Sequence, residues 1–213
     1  MILVCGGIKG GSGKTTIATN FAIMRSREGR EVLLVDADDQ ESATDFTTLR
    51  NEAVGDQCGY TSIQLRDRSV LTELRKLKNK YDDIVIDTGG RDTQSQRAAL
   101  ALADILMVPF VPRSLDVWTI EKVEALVDDI RAVNPELRAC SFLNRADPIG
   151  SENQEARDFL SESKSVEYID YPLGYRKAFG KATAQGLAVV ELKPQDRKAA
   201  DELFALYRCV YSA

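Results

Sequence analysis

Histidine is absent from all 213 residues. That excludes a histidine general base, a serine–histidine triad and a zinc site built on imidazole. Cysteine is scarce and scattered. Cys5, Cys58, Cys140 and Cys209 show no C-x-x-C spacing, which argues against a disulfide frame or a metal cluster and fits reduced thiols in a cytosolic protein. No apolar run approaches the roughly 18 residues that a membrane span needs. An excess of positive charge is also missing. The net charge is −5, so any contact with nucleic acid must come from a local patch. Repeats, low-complexity segments and linkers are absent. Met1 stands one residue ahead of the first strand-like run, so neither a signal peptide nor an N-terminal helix-turn-helix domain is expected.

What the chain does have is regular alternation. Hydrophobic residues make up 44% of it, enough for one well-buried α/β domain over residues 1–213. Apolar runs at Ile2–Cys5, Glu31–Asp36, Asp83–Asp87, Ile105–Val111 and Leu137–Leu143 read as buried strands. Weaker strands are expected at Tyr60–Leu65 and Val166–Ile169. Between them lie helical patterns. One follows the first strand with Ile17, Phe21 and Met24 on a single face. Others run over Ser69–Lys80, with Ser69 as a cap, over Thr93–Ala103, over Ser114–Val133 and over Glu152–Ser163. A short basic helix or turn is expected at Tyr175–Thr183, and a last helix opened by Pro194. The alternation implies a doubly wound, mostly parallel sheet with helices on both faces, whose ligands sit at the C-terminal ends of the strands.

The motifs fall at those ends. Lys9-Gly10-Gly11-Ser12-Gly13-Lys14-Thr15-Thr16 joins the first strand to the first helix. Glycines let backbone N–H groups turn toward an anion, and the helix adds its positive N-terminal end. In such a phosphate-binding loop Lys14 reaches the terminal phosphates and Thr15 places a hydroxyl on Mg²⁺. The ordinary pattern G-x-x-x-x-G-K-[ST] asks for glycine where this chain has Ile8, and Lys9 is an added lysine at the head of the loop. Asp36 and Asp38 follow the second strand in V-D-A-D-D-Q, where acids beside a phosphate loop suit work on Mg²⁺ and water. A solvated acidic turn is the plain alternative. Asp87 ends the strand D-I-V-I-D ahead of Gly89-Gly90, the arrangement in which a carboxylate holds a Mg²⁺ ligand.

The K-G-G-x-G-K-T loop resembles that of the ParA/MinD family of deviant Walker-box ATPases, and the likeness runs from Ile2 into the last helix. It implies a P-loop fold, ATP and Mg²⁺ as ligands, and slow ATP hydrolysis until a partner completes the site. It implies that Lys9 crosses a homodimer interface to the nucleotide of the other subunit. It also implies that Asp36 supports the Mg²⁺ shell and that Asp38 positions the attacking water. Asp39 stands where the family usually has proline, which would loosen this loop. Asn144, beside Arg145, is placed by the resemblance at adenine, and Pro172 in the loop over the base. Arg176, Lys177, Lys181, Arg197 and Lys198 form either a solvated helix face or, as partition members of the family suggest, a patch for non-specific DNA.

The resemblance thus implies a positioning ATPase, nucleoid-associated when ATP-bound. With an adaptor of ParB-like role it would move a plasmid, a chromosome origin or a carboxysome. Two alternatives share the fold. A MinD-like membrane ATPase would end in a basic amphipathic helix, whereas the last helix here carries Asp201 and Glu202 and its apolar face reads as core. A small-molecule ATP-dependent ligase would show turnover that depends on its substrate and ignores DNA.

Overall fold

A computed structural model gives the fold and describes residues 1–55, 57–114, 117–147 and 151–211. The strands form first as sequence and then as burial. β1 (Ile2–Cys5), β2 (Val32–Ala37), β4 (Asp83–Thr88) and β5 (Ile105–Phe110) are buried at every residue. A strand that is apolar on both faces is stable only if both faces are covered. β3 (Thr61–Gln64), β6 (Arg138–Ala146), β7 (Glu167–Tyr168) and β8 (Leu173–Gly174) complete the sheet. The order is β3-β2-β4-β1-β5-β6-β7, with β8 beside β6, and every pairing among the described strands is parallel.

The two-residue period of the strands divides the core. Leu3, Cys5, Leu34, Val85, Met107 and Phe142 face α1 (Lys14–Arg27) and α8 (Arg197–Tyr211). Ile2, Val4, Leu33, Val35, Ile84 and Ile86 face the opposite layer, which holds α3 (Arg68–Leu77), α4 (Gln94–Leu100), α5 (Val117–Arg131) and α6 (Glu152–Ser161). α2 (Ser42–Val54) and α7 (Lys177–Thr183) flank the site end.

Several local expectations change once packing is seen. α1 is not buried on one face alone. Every residue from Ile17 to Met24 is buried, because α8 closes over the side turned from the sheet. Tyr207 and Tyr211 set their rings edge-on to Phe21 at 5.5 and 5.9 Å. α8 begins at Arg197 and not at Pro194, because the Asp196 carboxylate accepts the Ala199 N–H at 3.1 Å and so caps the first turn. Ser69 lies inside α3, and its hydroxyl bonds back to Arg66. The longest helical pattern starts at Val117, not Ser114, and its residues 115 and 116 lie outside the described residues. β8 was missed, since two residues carry no period.

Candidate active site

The C-terminal ends of β1, β2, β4 and β6 meet at one edge of the sheet. The loop after β1 runs into α1, whose N-terminus therefore points at whatever the loop encloses. Two glycines there leave no space for a side chain. Gly13 has φ +98°, and a Cβ on it would lie 2.2 Å from Asn144 Nδ2. A Cβ on Gly90 would lie 2.5 Å from the Gly10 nitrogen, so the turn after β4 rests directly on the phosphate loop.

Beside this contact opens a cavity of about 620 Å³. The loop glycines, Lys14, Thr15 and Thr16 form one wall, and Asp38, Asp39, Gln40, Gly89, Gly90 and Arg91 line the rest with Thr93 and Arg145. The Lys14 ammonium donates to the Lys9 carbonyl at 2.8 Å. Burial pulls its pKa below the ordinary lysine value, against the opposing pull of Asp87 and Asp38. Lys9 is half-buried at the head of the loop, and Ser12 is buried within it.

Asp87 is fully buried, and neither carboxylate oxygen has a hydrogen-bond partner. Burial pushes its pKa up to about 7; the Thr15 hydroxyl and Lys14 work in the other direction. An unpaired buried carboxylate is costly, and a divalent cation between Asp87 and Thr15 would satisfy it. The donor set, one carboxylate and one hydroxyl with space for water, suits Mg²⁺.

Asp36 spends both oxygens on its own loop. Oδ1 accepts the Asp38 N–H at 3.1 Å, and Oδ2 accepts the N–H and hydroxyl of Thr44, each at 2.8 Å. The carboxylate thereby ties the Asp38 turn to the start of α2. Asp38 is half-buried, accepts the Gln40 N–H at 3.2 Å, and lies against Gly89. Asp39 does not leave the loop slack. Arg66 reaches it at 3.4 Å, reaches Glu41 at 3.4 Å, and donates to the Asp36 carbonyl at 2.6 Å. One guanidinium thus holds three points of the segment.

A second cavity of about 540 Å³ adjoins the first across Gly13, Thr16 and Arg145. Leu49, Asn144, Gly174, Tyr175, Arg176 and one face of α7, with Lys177, Phe179, Gly180 and Thr183, line it. Asn144 reaches its edge, but its amide is engaged elsewhere. Nδ2 donates to the Ser12 carbonyl at 2.7 Å, and Oδ1 accepts the Arg145 N–H at 3.0 Å. Its first job is to hold the phosphate loop. Pro172 does not line this cavity. The chain beyond it pairs with β6 as β8, and that carries Gly174 through Lys177 to the mouth instead.

The five basic candidates separate. Arg176 is not a free cation. Its guanidinium makes a two-pronged ion pair with Glu202, whose carboxylate also accepts the Gly174 N–H. Lys177, Lys181, Arg197 and Lys198 are exposed. From sequence Arg66 and Arg91 had no role, and Glu202 counted only as an acid of the last helix. The one local signal for Arg91 was its place next to the glycine pair.

A family model described as the CobQ/CobB/MinD/ParA nucleotide binding domain matches residues 2–189. Maintenance of carboxysome distribution protein A from Halothiobacillus neapolitanus is 27% identical over 202 residues, which cover 94% of this chain and 92% of that protein. The structure of Cyanothece apo McdA superposes with a TM-score of 0.78 at 19% identity, covering 96% of this chain and 98% of that one. Cobyrinic acid a,c-diamide synthase from Mycobacterium smegmatis, with bound ATP analogue and magnesium, superposes with a TM-score of 0.77 at 17% identity, covering 100% and 96%. The two superpositions carry the fold.

Proposed function

Because the chain belongs to the CobQ/CobB/MinD/ParA family of nucleotide-binding domains, we propose that it is a ParA-type ATPase that positions a cargo through an ATP-dependent dimer. The observation that carries this reading is the composition of the larger cavity. Lys14 and Thr15 stand on one wall, Asp38 stands on the other, and the unpartnered Asp87 carboxylate lies behind them.

ATP occupies the two cavities, with phosphates on the glycine loop and the base toward α7. Thr15 and Asp87 would hold Mg²⁺, and Asp36 keeps the adjoining turn in place. Mg²⁺ held there would supply charge neutralisation at the terminal phosphates. Lys14 leaves the Lys9 carbonyl for those phosphates. Asp38 orients a water for in-line attack, so no covalent nucleophile is needed. Lys9 of the partner subunit completes the charge neutralisation, and turnover is slow until a cargo-bound adaptor of ParB-like role stabilises that arrangement.

The dimer binds duplex DNA without sequence preference through Lys177, Lys181, Arg197 and Lys198, four exposed cations with no ion pair among the described residues. Two copies double their number, and affinity rises with the number of phosphate contacts. The likeness to the carboxysome distribution protein supports a protein compartment as cargo, beside a plasmid or chromosome origin. DNA binding by the ATP-bound dimer would put the protein on the nucleoid. A membrane role finds less support. Leu203, Leu206, Tyr207 and Val210 of α8 are spent on the core, and no described helix is long and apolar enough to cross a membrane.

The test is binding to random duplex DNA at one stated salt concentration, with ATP, with ADP and without nucleotide. Binding only with ATP, lost in Lys9→Ala, is the expected result. Asp38→Ala should keep ATP binding and DNA binding and lose hydrolysis. No DNA binding in any nucleotide state would remove the nucleoid model. Turnover that depends on a small molecule and ignores DNA would favour the ligase reading.

A further inference from the structure

We propose that Arg91 is a catalytic arginine that contacts the terminal phosphate of a nucleoside triphosphate bound in its own subunit. The inference rests on the nucleotide-binding reading above and adds a residue to it.

Arg91 is placed by its neighbour. Gly90 approaches the phosphate loop so closely that a Cβ would meet Gly10 N at 2.5 Å and Gly10 Cα at 2.6 Å. Arg91 therefore leaves the backbone at the tip of that loop. Its exposed side chain stands on the ridge between two hollows. One is the phosphate cavity. The other is an outer groove of about 400 Å³, with Ile8 on one side and α5 on the other.

Electrostatics decides which side the guanidinium prefers. The groove offers two acids, Asp92 and Asp129, but Arg97 already holds both. Arg97 grips both oxygens of Asp92 at 2.7 Å and reaches Asp129 Oδ2 at 3.2 Å. Apart from Arg91 the groove's charges, Arg97 and Lys122 against Asp92 and Asp129, already balance, so it offers no unmet negative charge to a further cation. Arg91 itself makes no ion pair or hydrogen bond among the described residues.

The phosphate cavity needs the charge. The ionised side chains that line it are Lys14, Arg91 and Arg145 against Asp38 and Asp39. Arg66 takes Asp39 from outside the cavity, so without the two arginines Lys14 is only balanced by Asp38, a poor cradle for a polyphosphate. Arg145 borders both the phosphate and the base cavity, whereas Arg91 borders the first alone and stands beside Gly89, Gly90 and Asp38. That is the end at which a third phosphate differs from a second. A guanidinium there neutralises charge that grows on the equatorial oxygens in the transition state.

The experiment compares affinities for ADP and for a non-hydrolysable ATP analogue, with Mg²⁺, in wild type, Arg91→Gln, Arg91→Lys and Lys122→Ala, together with kcat. In Arg91→Gln the analogue should bind about 10- to 100-fold more weakly while ADP changes by less than about 2-fold. The fall in kcat should be at least about 100-fold. Arg91→Lys keeps the charge without the fork and should recover part of the loss. Lys122→Ala, a cation of the same groove, should leave the ratio of the two affinities unchanged. Equal weakening of ADP and the analogue would show general electrostatics and overturn the proposal, as would no change in either. A wild-type protein that binds neither nucleotide would overturn this proposal and the nucleotide reading together. Hydrolysis without any effect on DNA would leave this proposal standing while the positioning model fell.

Discussion

Asp87, one residue before the end of β4, has neither carboxylate oxygen bonded, whereas Glu202 of α8 accepts three hydrogen bonds from Gly174 and Arg176. The same contrast runs through the two halves of the site. On the phosphate side Lys14 rests on a loop carbonyl and Arg91 has no partner among the described residues. On the base side Arg50 donates to the carbonyls of Cys58 and Gly186 and forks onto Glu191, and Asn20 joins the Thr16 carbonyl to the Val189 N–H. Groups satisfied inside the protein give shape and have little left for a ligand. Groups kept short of partners cost stability in the empty protein and return it as binding energy. In the proposed reading the base half is thus a preassembled wall, and the phosphate half is where the free energy of ligand binding is held in reserve.

The contrast is broken most forcefully at Arg50. It is nearly buried, and its ion pair with Glu191 is 2.8 Å long. Arg50→Met leaves Glu191 with only the looser contact of Arg27 at 3.7 Å and should cost about 3 kcal/mol in urea unfolding. Burial alone would raise the Glu191 pKa, but the Arg50 guanidinium and the Ala188 N–H override it and hold the pKa below the ordinary glutamate value of 4.5. A depressed carboxylate pKa stabilises the fold above pH 4.5, and that contribution disappears as the pH falls below it. Wild type should lose stability down this acid limb and the variant should lose less. A change under about 1 kcal/mol would mean that the saturated half does not hold the fold.

Asn144 sharpens the comparison, because it stands where the halves join. Asn144→Ala removes the donor to the Ser12 carbonyl and should cost about 2 kcal/mol, since that carbonyl is left inside without a partner. Nucleotide affinity should fall with it as the phosphate loop loosens, by about 10-fold in a titration calorimeter. Stability lost with affinity intact would show that the loop needs no support from β6.

What could be read from the chain was whatever is local. Apolar runs gave the strands because a buried parallel strand needs nothing beyond its own side chains, and the loop from Lys9 to Thr16 announces its turn through glycine spacing. The same kind of reading put Lys14, Thr15, Thr16 and Asp38 at strand ends, and the structure brings them onto one cavity. The reading ran out where a residue's task is set by a distant partner. Asn144 and Ser12 are 132 positions apart, and Arg50 and Glu191 are 141. Arg176 looked like a free cation because Glu202 lies 26 residues further on, in another helix. The family resemblance put Pro172 in the loop over the base, and Pro172 does not line the second cavity. A two-residue strand, invisible to periodicity, then carried the next turn of chain to the cavity instead.

The smallest effect, and the one with the opposite sign, is expected at Asp87. An amide keeps the shape of the carboxylate and removes a charge that burial and the neighbouring Asp36 both oppose. Asp87→Asn should therefore raise metal-free stability, by about 1 kcal/mol in urea unfolding, even as it removes the dependence of nucleotide binding on Mg²⁺. The two readings have to move apart. A structural aspartate would lose stability on substitution and leave the Mg²⁺ dependence alone. A residue held in reserve for a cation gains stability when it gives up that task, and adding Mg²⁺ with nucleotide should stabilise wild type more than the variant. If Asp87→Asn instead destabilises the empty protein as Arg50→Met does, the phosphate half is built by the same rule as the base half.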